Sequence, residues 1–158
     1  MHSRRFLPVW CIALVLSSSH CGSQPSPTDR PPAVAGQFYP GTAAELNSTL
    51  RQLFAQAHRP RTVGNVAAII VPHAGYVFSG EVAASAFNQI DAGRPFDDIF
   101  VLGVSHYVAF DGASIDIRDR WNTPLGAVTV DRELGQRLIR EHSCFSNRRD
   151  AHERESQE

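Results

Sequence analysis

Basic excess, runs of like charge, CxxC pairs and internal repeats are all missing from this 158-residue sequence. Fifteen basic residues face sixteen acidic ones, for a formal net charge of −1. Nothing in that balance marks a nucleic-acid binder or a charged interaction tail. The three cysteines, Cys11, Cys21 and Cys144, lie far apart, which argues against a zinc knuckle or a thioredoxin-like redox motif. The apolar stretch from Phe6 to Leu16 is too short to cross a bilayer. What remains is ordinary globular composition, 42% hydrophobic and 20% charged, enough for one domain with a core. The seven histidines carry more information than the charges do.

Residues 1–21 read as an export signal. His2, Arg4 and Arg5 precede the apolar stretch, and Ser17, Ser18 and Ser19 supply small residues for cleavage after Ser19. Cys21 gives a lipoprotein signal as the alternative, although His20 fits a lipobox poorly, and Arg4-Arg5 weakly resembles a twin-arginine signal. The expected location is therefore the periplasm or a lipid anchor on the cell envelope. A start codon set too far upstream would instead leave a cytoplasmic protein. With the signal removed, no transmembrane span is expected and Cys144 is left as a lone thiol. Residues 22–35 are rich in proline and serine and read as a solvated tether.

The folded part begins at residue 36. Thr42 and Glu45 make a capping box, and Leu46, Leu50, Leu53, Phe54 and Ala57 follow at helical spacing, predicting a helix over 43–57. Val66 to Val71 is continuously apolar, as a strand buried on both faces would be, and Pro72 stops it. Ser79 is a plausible cap for a helix carrying Val82, Ala83, Ala86, Phe87 and Ile90. Ile99 to Val104 is a second buried strand. Strand, helix and strand in that order predict a right-handed crossover and an α/β fold with a mainly parallel sheet flanked by helices. Ala113 to Ile117 alternates like a strand, Trp121 to Gly126 is a turn, and Ala127 to Val130 is another short strand. Asp131 caps a helix with Leu134, Leu138 and Ile139, and Ser146 to Glu158 is polar.

His73 follows the first buried strand and His106 the second. Ligands in open parallel sheets bind outside the carboxyl ends of the strands, so two imidazoles there converge on the expected crevice. Neighbouring strands lie about 5 Å apart, close enough for both rings to share one cation. Neutral imidazole suits iron, copper or zinc, but an open redox or hydrolytic site needs about three protein ligands and only two are visible. Tyr76 and Tyr107 stand beside the histidines, where they would line the pocket or donate a proton, or simply pack. Ser105 would orient His106 or close the turn. Trp121 is a pocket wall or a core residue. Asp111 and Asp116 lack a paired spacing and receive no role; Cys144 is not nominated as a ligand, and His152 reads as a solvated helix residue.

The motifs themselves are recognisable. Pro72-His73-Ala74-Gly75-Tyr76 with Ser79-Gly80, and Gly103-Val104-Ser105-His106, resemble the Memo family, also known as the B component of a bacterial set that includes a radical SAM protein. Gly36-Gln37-Phe38-Tyr39-Pro40 and Asn122-Thr123-Pro124-Leu125-Gly126 match its opening motif and internal turn, in order, over residues 32–158. The resemblance implies a fold similar to LigB-type class III extradiol dioxygenases, which use non-haem iron. It implies that His73 and His106 are metal ligands, with iron or copper as the metal and a radical SAM protein as a partner. The third ligand position, a cysteine in some members, comes from the back half of the domain. Two departures stand out. Glu155-Ser156-Gln157-Glu158 lacks the histidine of the family's Glu-His-Ser motif, and Val104 stands where proline is common. Residues 36–158 therefore read as the N-terminal half of a Memo-like domain, with an incomplete metal site. Three functions stay open: a metal-dependent, dioxygenase-like redox protein; a peptide or small-anion binding module without catalysis; and a fragment with no function of its own.

Overall fold

The computed structural model describes residues 28–59 and 65–154, so residues 1–21, read as an export signal, and Glu155–Glu158 lie outside the described residues. Three α-helices, α1 (Ala43–Gln56), α2 (Tyr76–Phe87) and α3 (Arg132–Glu141), accompany four short strands. These are β1 (Ala113–Ser114), β2 (Arg120–Thr123), β3 (Gly126–Thr129) and β4 (Phe145–Ser146), and a 3-10 turn at Arg149–His152 follows them. β1 and β4 pair in parallel, while β2 and β3 form an antiparallel hairpin that sets Trp121 opposite Val128. The fold is mixed α/β with a small parallel pair.

The Thr42 half of the capping box at α1 is realised. The Glu45 backbone N–H donates to Thr42 Oγ1 at 3.3 Å, and the Thr42 hydroxyl donates to Glu45 Oε2 at 2.8 Å. The hydroxyl thus serves one orphan backbone donor at the helix start, so Thr42→Ala should cost about 1 kcal/mol in a urea melt. The Asp131 cap of α3 is also present, accepting from the Leu134 N–H at 2.9 Å. α2 starts three residues before the expected Ser79. Gly75 is its N-cap, and the Ser79 hydroxyl lies inside the helix and donates to the Ala74 carbonyl at 2.8 Å. The α2 face toward α1 is built of small residues. A Cβ on Gly80 would stand 2.8 Å from Leu53 Cδ1, so the Leu53 side chain of α1 packs against bare α2 backbone there.

The two long apolar strands are the main correction. Residues 66–71 and 99–104 form no ladder among the described residues, and they are not buried. Ile70 is 98% exposed and Leu102 92%. A strand exists only through its neighbours, and neither segment finds one here. The turn region also shifts: Trp121 and Asn122 belong to β2, and only Pro124 and Leu125 separate the hairpin strands. β1 is two residues long rather than five, although the Ile115 N–H still donates to the Ser146 carbonyl at 2.8 Å.

The stretch read as a tether is packed where it is described. Arg30 is fully buried, its backbone bridges to β2 through Arg120 and Asn122, and its guanidinium stacks 4.3 Å from the Trp121 ring. Its Nε donates to the His152 carbonyl at 2.8 Å, and Asp29 pairs with Arg120 at 3.0 Å. His152 is accordingly buried, not solvated, and its Nε2 lies 2.9 Å from Ser114 Oγ. The sequence reading overlooked this cluster because its partners lie some ninety or more positions apart.

Candidate metal centre

The motif residues are assembled by contacts between segments far apart in sequence. The Tyr76 N–H donates to the Phe38 carbonyl at 2.8 Å, and a Cβ on Gly75 would meet that same oxygen at 3.2 Å. Gly75 is therefore needed for the close approach of the 36–40 motif to the start of α2. Tyr39 and Tyr76 stack at 5.6 Å between centroids, with planes 39° apart. These contacts fix the chain just after His73.

The rings of His73 and His106 lie 5.2 Å apart between centroids and are tilted by 32°. Two imidazole nitrogens each about 2.1 Å from a shared ion, arranged tetrahedrally, would place the ring centroids about 5 Å apart. The pair thus has the spacing of two ligands on one ion. Among the described residues no group of three or more histidine, cysteine, aspartate or glutamate side chains is placed to hold a metal. The donor set is two imidazoles, one short of an open catalytic site.

Both histidines edge a cavity of about 520 Å³ between α1, α2 and the apolar segments. Leu53, Phe54, Ala83 and Phe87 supply its helix walls, and Phe38 and Tyr39 a third side. The three- and four-residue spacing of these helix residues fits a core face and a pocket wall alike. Tyr76 lines the cavity. Tyr107 turns instead to Arg154, whose guanidinium lies 4.2 Å from its ring. The Ser105 hydroxyl donates to the Val108 carbonyl at 2.8 Å and accepts from the Val108 N–H at 3.3 Å, closing the turn that carries His106. Trp121 lies half-buried against Arg30 and donates to Asp116, so it packs in that cluster and is not a wall of this cavity. Cys144 is exposed.

A family profile described as Memo-like protein matches residues 30–157. The chain belongs to the Memo-like family. Among curated proteins, it is 35% identical over 113 residues to a MEMO1 family protein of Nitrosopumilus maritimus, covering 69% of this chain and 41% of that protein. A MEMO1 family protein of Methanosarcina barkeri is 41% identical over 110 residues, covering 69% of this chain and 39% of its own length. The memo-1 homolog of Caenorhabditis elegans is 37% identical over 117 residues, covering 73% of this chain and 33% of its own length. This chain thus spans about two-fifths or less of these three Memo-like proteins. No helix among its described residues is long and apolar enough to cross a membrane.

Proposed function

We propose that this Memo-like chain binds a first-row transition ion, iron or copper, between His73 and His106 at the mouth of the apolar cavity. The observation that carries this reading is the 5.2 Å separation of the two rings. Neutral imidazole is a good ligand for either metal. The resemblance to LigB-type extradiol dioxygenases supports a redox role and a mainly parallel sheet in the whole domain. A non-haem ion at this position would supply activation of dioxygen or of a bound organic ligand. A redox role requires a third donor beyond the described residues, so no reaction step is assigned to this pair alone. What this chain contributes is an apolar cavity beside the ion and two ligands held by the turns at Gly75 and Ser105.

Equilibrium dialysis with copper(II) or iron(II) tests this. One ion per chain is expected for the wild type. Loss of an outer partner of a metal ligand already weakens affinity about 10- to 100-fold, so His73→Ala and His106→Ala should each lose at least about 100-fold. Equal binding by the wild type and the double variant would rule the site out.

A second reading has its own support. The cavity itself, about 520 Å³ and lined by aliphatic and aromatic side chains, is of a size that holds small ligands or a peptide side chain. It favours an apolar occupant over a small anion, because no arginine lines it. Binding of such a ligand to metal-free protein, unchanged in the double histidine variant, would favour this module over the metal site.

A further inference from the structure

A second, smaller recess of about 170 Å³ shares no lining residue with the histidine cavity. Three arginines, Arg118, Arg132 and Arg149, line it together with two carboxylates, Asp116 and Asp119, and the Asn147 amide. They come from three stretches: the link between β1 and β2, the first residue of α3, and the segment after β4. A chain with a formal net charge of −1 thus gathers three guanidinium groups at one place.

The donors left over decide what the recess can take. Arg118 spends Nε and Nη2 on Asp116, which leaves Nη1 for another acceptor. Arg132 meets Asp119 through Nη1, which leaves Nε and Nη2. Arg149 reaches Glu153 at 3.7 Å with both side chains more than half exposed, a loose pair that a stronger acceptor can displace. The carboxylates are already engaged twice over, because Asp116 also accepts from Trp121 and Asp119 from the Thr28 hydroxyl. An occupant must therefore be an acceptor, and an anion. Size narrows the class: drug-sized ligands occupy sites of about 300 Å³ or more, so this recess suits a single small ion. Guanidinium forks match carboxylate and phosphate oxygens alike. A carboxylate presents its two oxygens in one plane, whereas a tetrahedral ion offers acceptors in several directions, as donors from three separate stretches require.

We propose that this recess binds one tetrahedral oxyanion of the phosphate class, held by the Arg132 and Arg149 guanidiniums with the buried Arg118 as its third cationic wall. The site does not depend on metal binding at His73 and His106, because none of its residues lines that cavity.

Calorimetric titration of the 158-residue protein with inorganic phosphate, at constant ionic strength in chloride, tests this. One phosphate per chain is expected, and the thermal midpoint should rise with phosphate concentration. The double variant His73→Ala, His106→Ala should bind it equally. Arg149→Gln, and Arg132→Lys, which keeps a cation for Asp119 but loses the fork, should each weaken phosphate about 10-fold or more. Both side chains are about half exposed, so melts without phosphate should be unchanged. Arg137→Gln removes an exposed arginine of α3 that does not line the recess and should bind as the wild type does. Acetate should bind more weakly than phosphate. Tighter binding of methyl phosphate than of inorganic phosphate would assign the ion to the end of a larger molecule, and the reverse order to a free ion. No phosphate-dependent heat or midpoint shift would overturn the proposal. So would equal affinity for acetate, equal binding by Arg149→Gln and Arg132→Lys, or loss of binding in the double histidine variant.

Discussion

Asp116→Asn is expected to destabilise the protein by about 3–5 kcal/mol, the cost of breaking a buried ion pair by removing one partner. The Asp116 carboxylate accepts from Arg118 Nη2 at 2.6 Å, from Arg118 Nε at 2.9 Å and from Trp121 Nε1 at 2.9 Å. Both ionic side chains are buried, so the amide would strand the Arg118 guanidinium without a counter-charge. Burial on its own would push the Asp116 carboxyl up. The hydrogen bonds from the Arg118 side chain and backbone, and the charges of Arg118 and His152, outweigh burial and hold it below the usual carboxylate range. A lowered folded-state value means that the pair's stability is present above the unfolded value of about 3.9 and is lost as the pH falls through the folded one. Urea melts should therefore show a wild-type midpoint that drops below about pH 4, and a lower midpoint with a flatter acid limb in Asp116→Asn. An unchanged midpoint at neutral pH would mean that the pair contributes no net stability.

Gly112→Ala is the second large effect. Gly112 has φ of +80°, and a Cβ there would stand 2.2 Å from the Cys144 carbonyl oxygen. That oxygen accepts from the Ala113 N–H at 2.9 Å, the contact that opens the β1–β4 pair. A side chain must therefore adopt a left-handed backbone conformation and also force the two strands apart. The backbone strain alone costs about 1–3 kcal/mol, and the clash falls on main chain that cannot swing away. A total loss of roughly 3 kcal/mol or more is expected in thermal or urea unfolding. Gly126 makes a useful control. Its φ of +132° is also restrictive, but a Cβ there would meet nothing within 4 Å. Gly126→Ala should lose only the conformational part, and an equal loss at both positions would remove the steric argument.

The parts of the fold that can be read from sequence are those that use near neighbours. α1 and α3 were legible because Thr42 with Glu45, and Asp131 with Leu134, settle their starts within three residues. α2 was misplaced because its first residue follows a glycine that offers no side-chain cap, while Ser79 spends its hydroxyl on the turn behind it. The segments 66–71 and 99–104 have the composition of buried strands, but burial is decided by partners that composition cannot supply. The histidine pair was legible because His73 and His106 occupy equivalent places after two apolar runs. The structure brings them together although neither run forms a ladder among the described residues. Tyr107 and Ser105 were each read in more than one way, and neighbouring a histidine in sequence could not decide between them: Ser105 closes the turn at Val108, and Tyr107 packs against Arg154.

The buried strap around Arg30 imposes an order on synthesis. Asp29 waits for Arg120, 91 positions later, and Arg30 waits for His152, 122 positions later. At about 5–20 residues per second, those partners leave the ribosome roughly 5–24 s after the strap does. Until then a guanidinium destined for complete burial stays in solvent, open to any anionic surface or chaperone that reaches it first. Closure of this contact therefore follows the synthesis of residue 152 and fastens two distant described segments at one point.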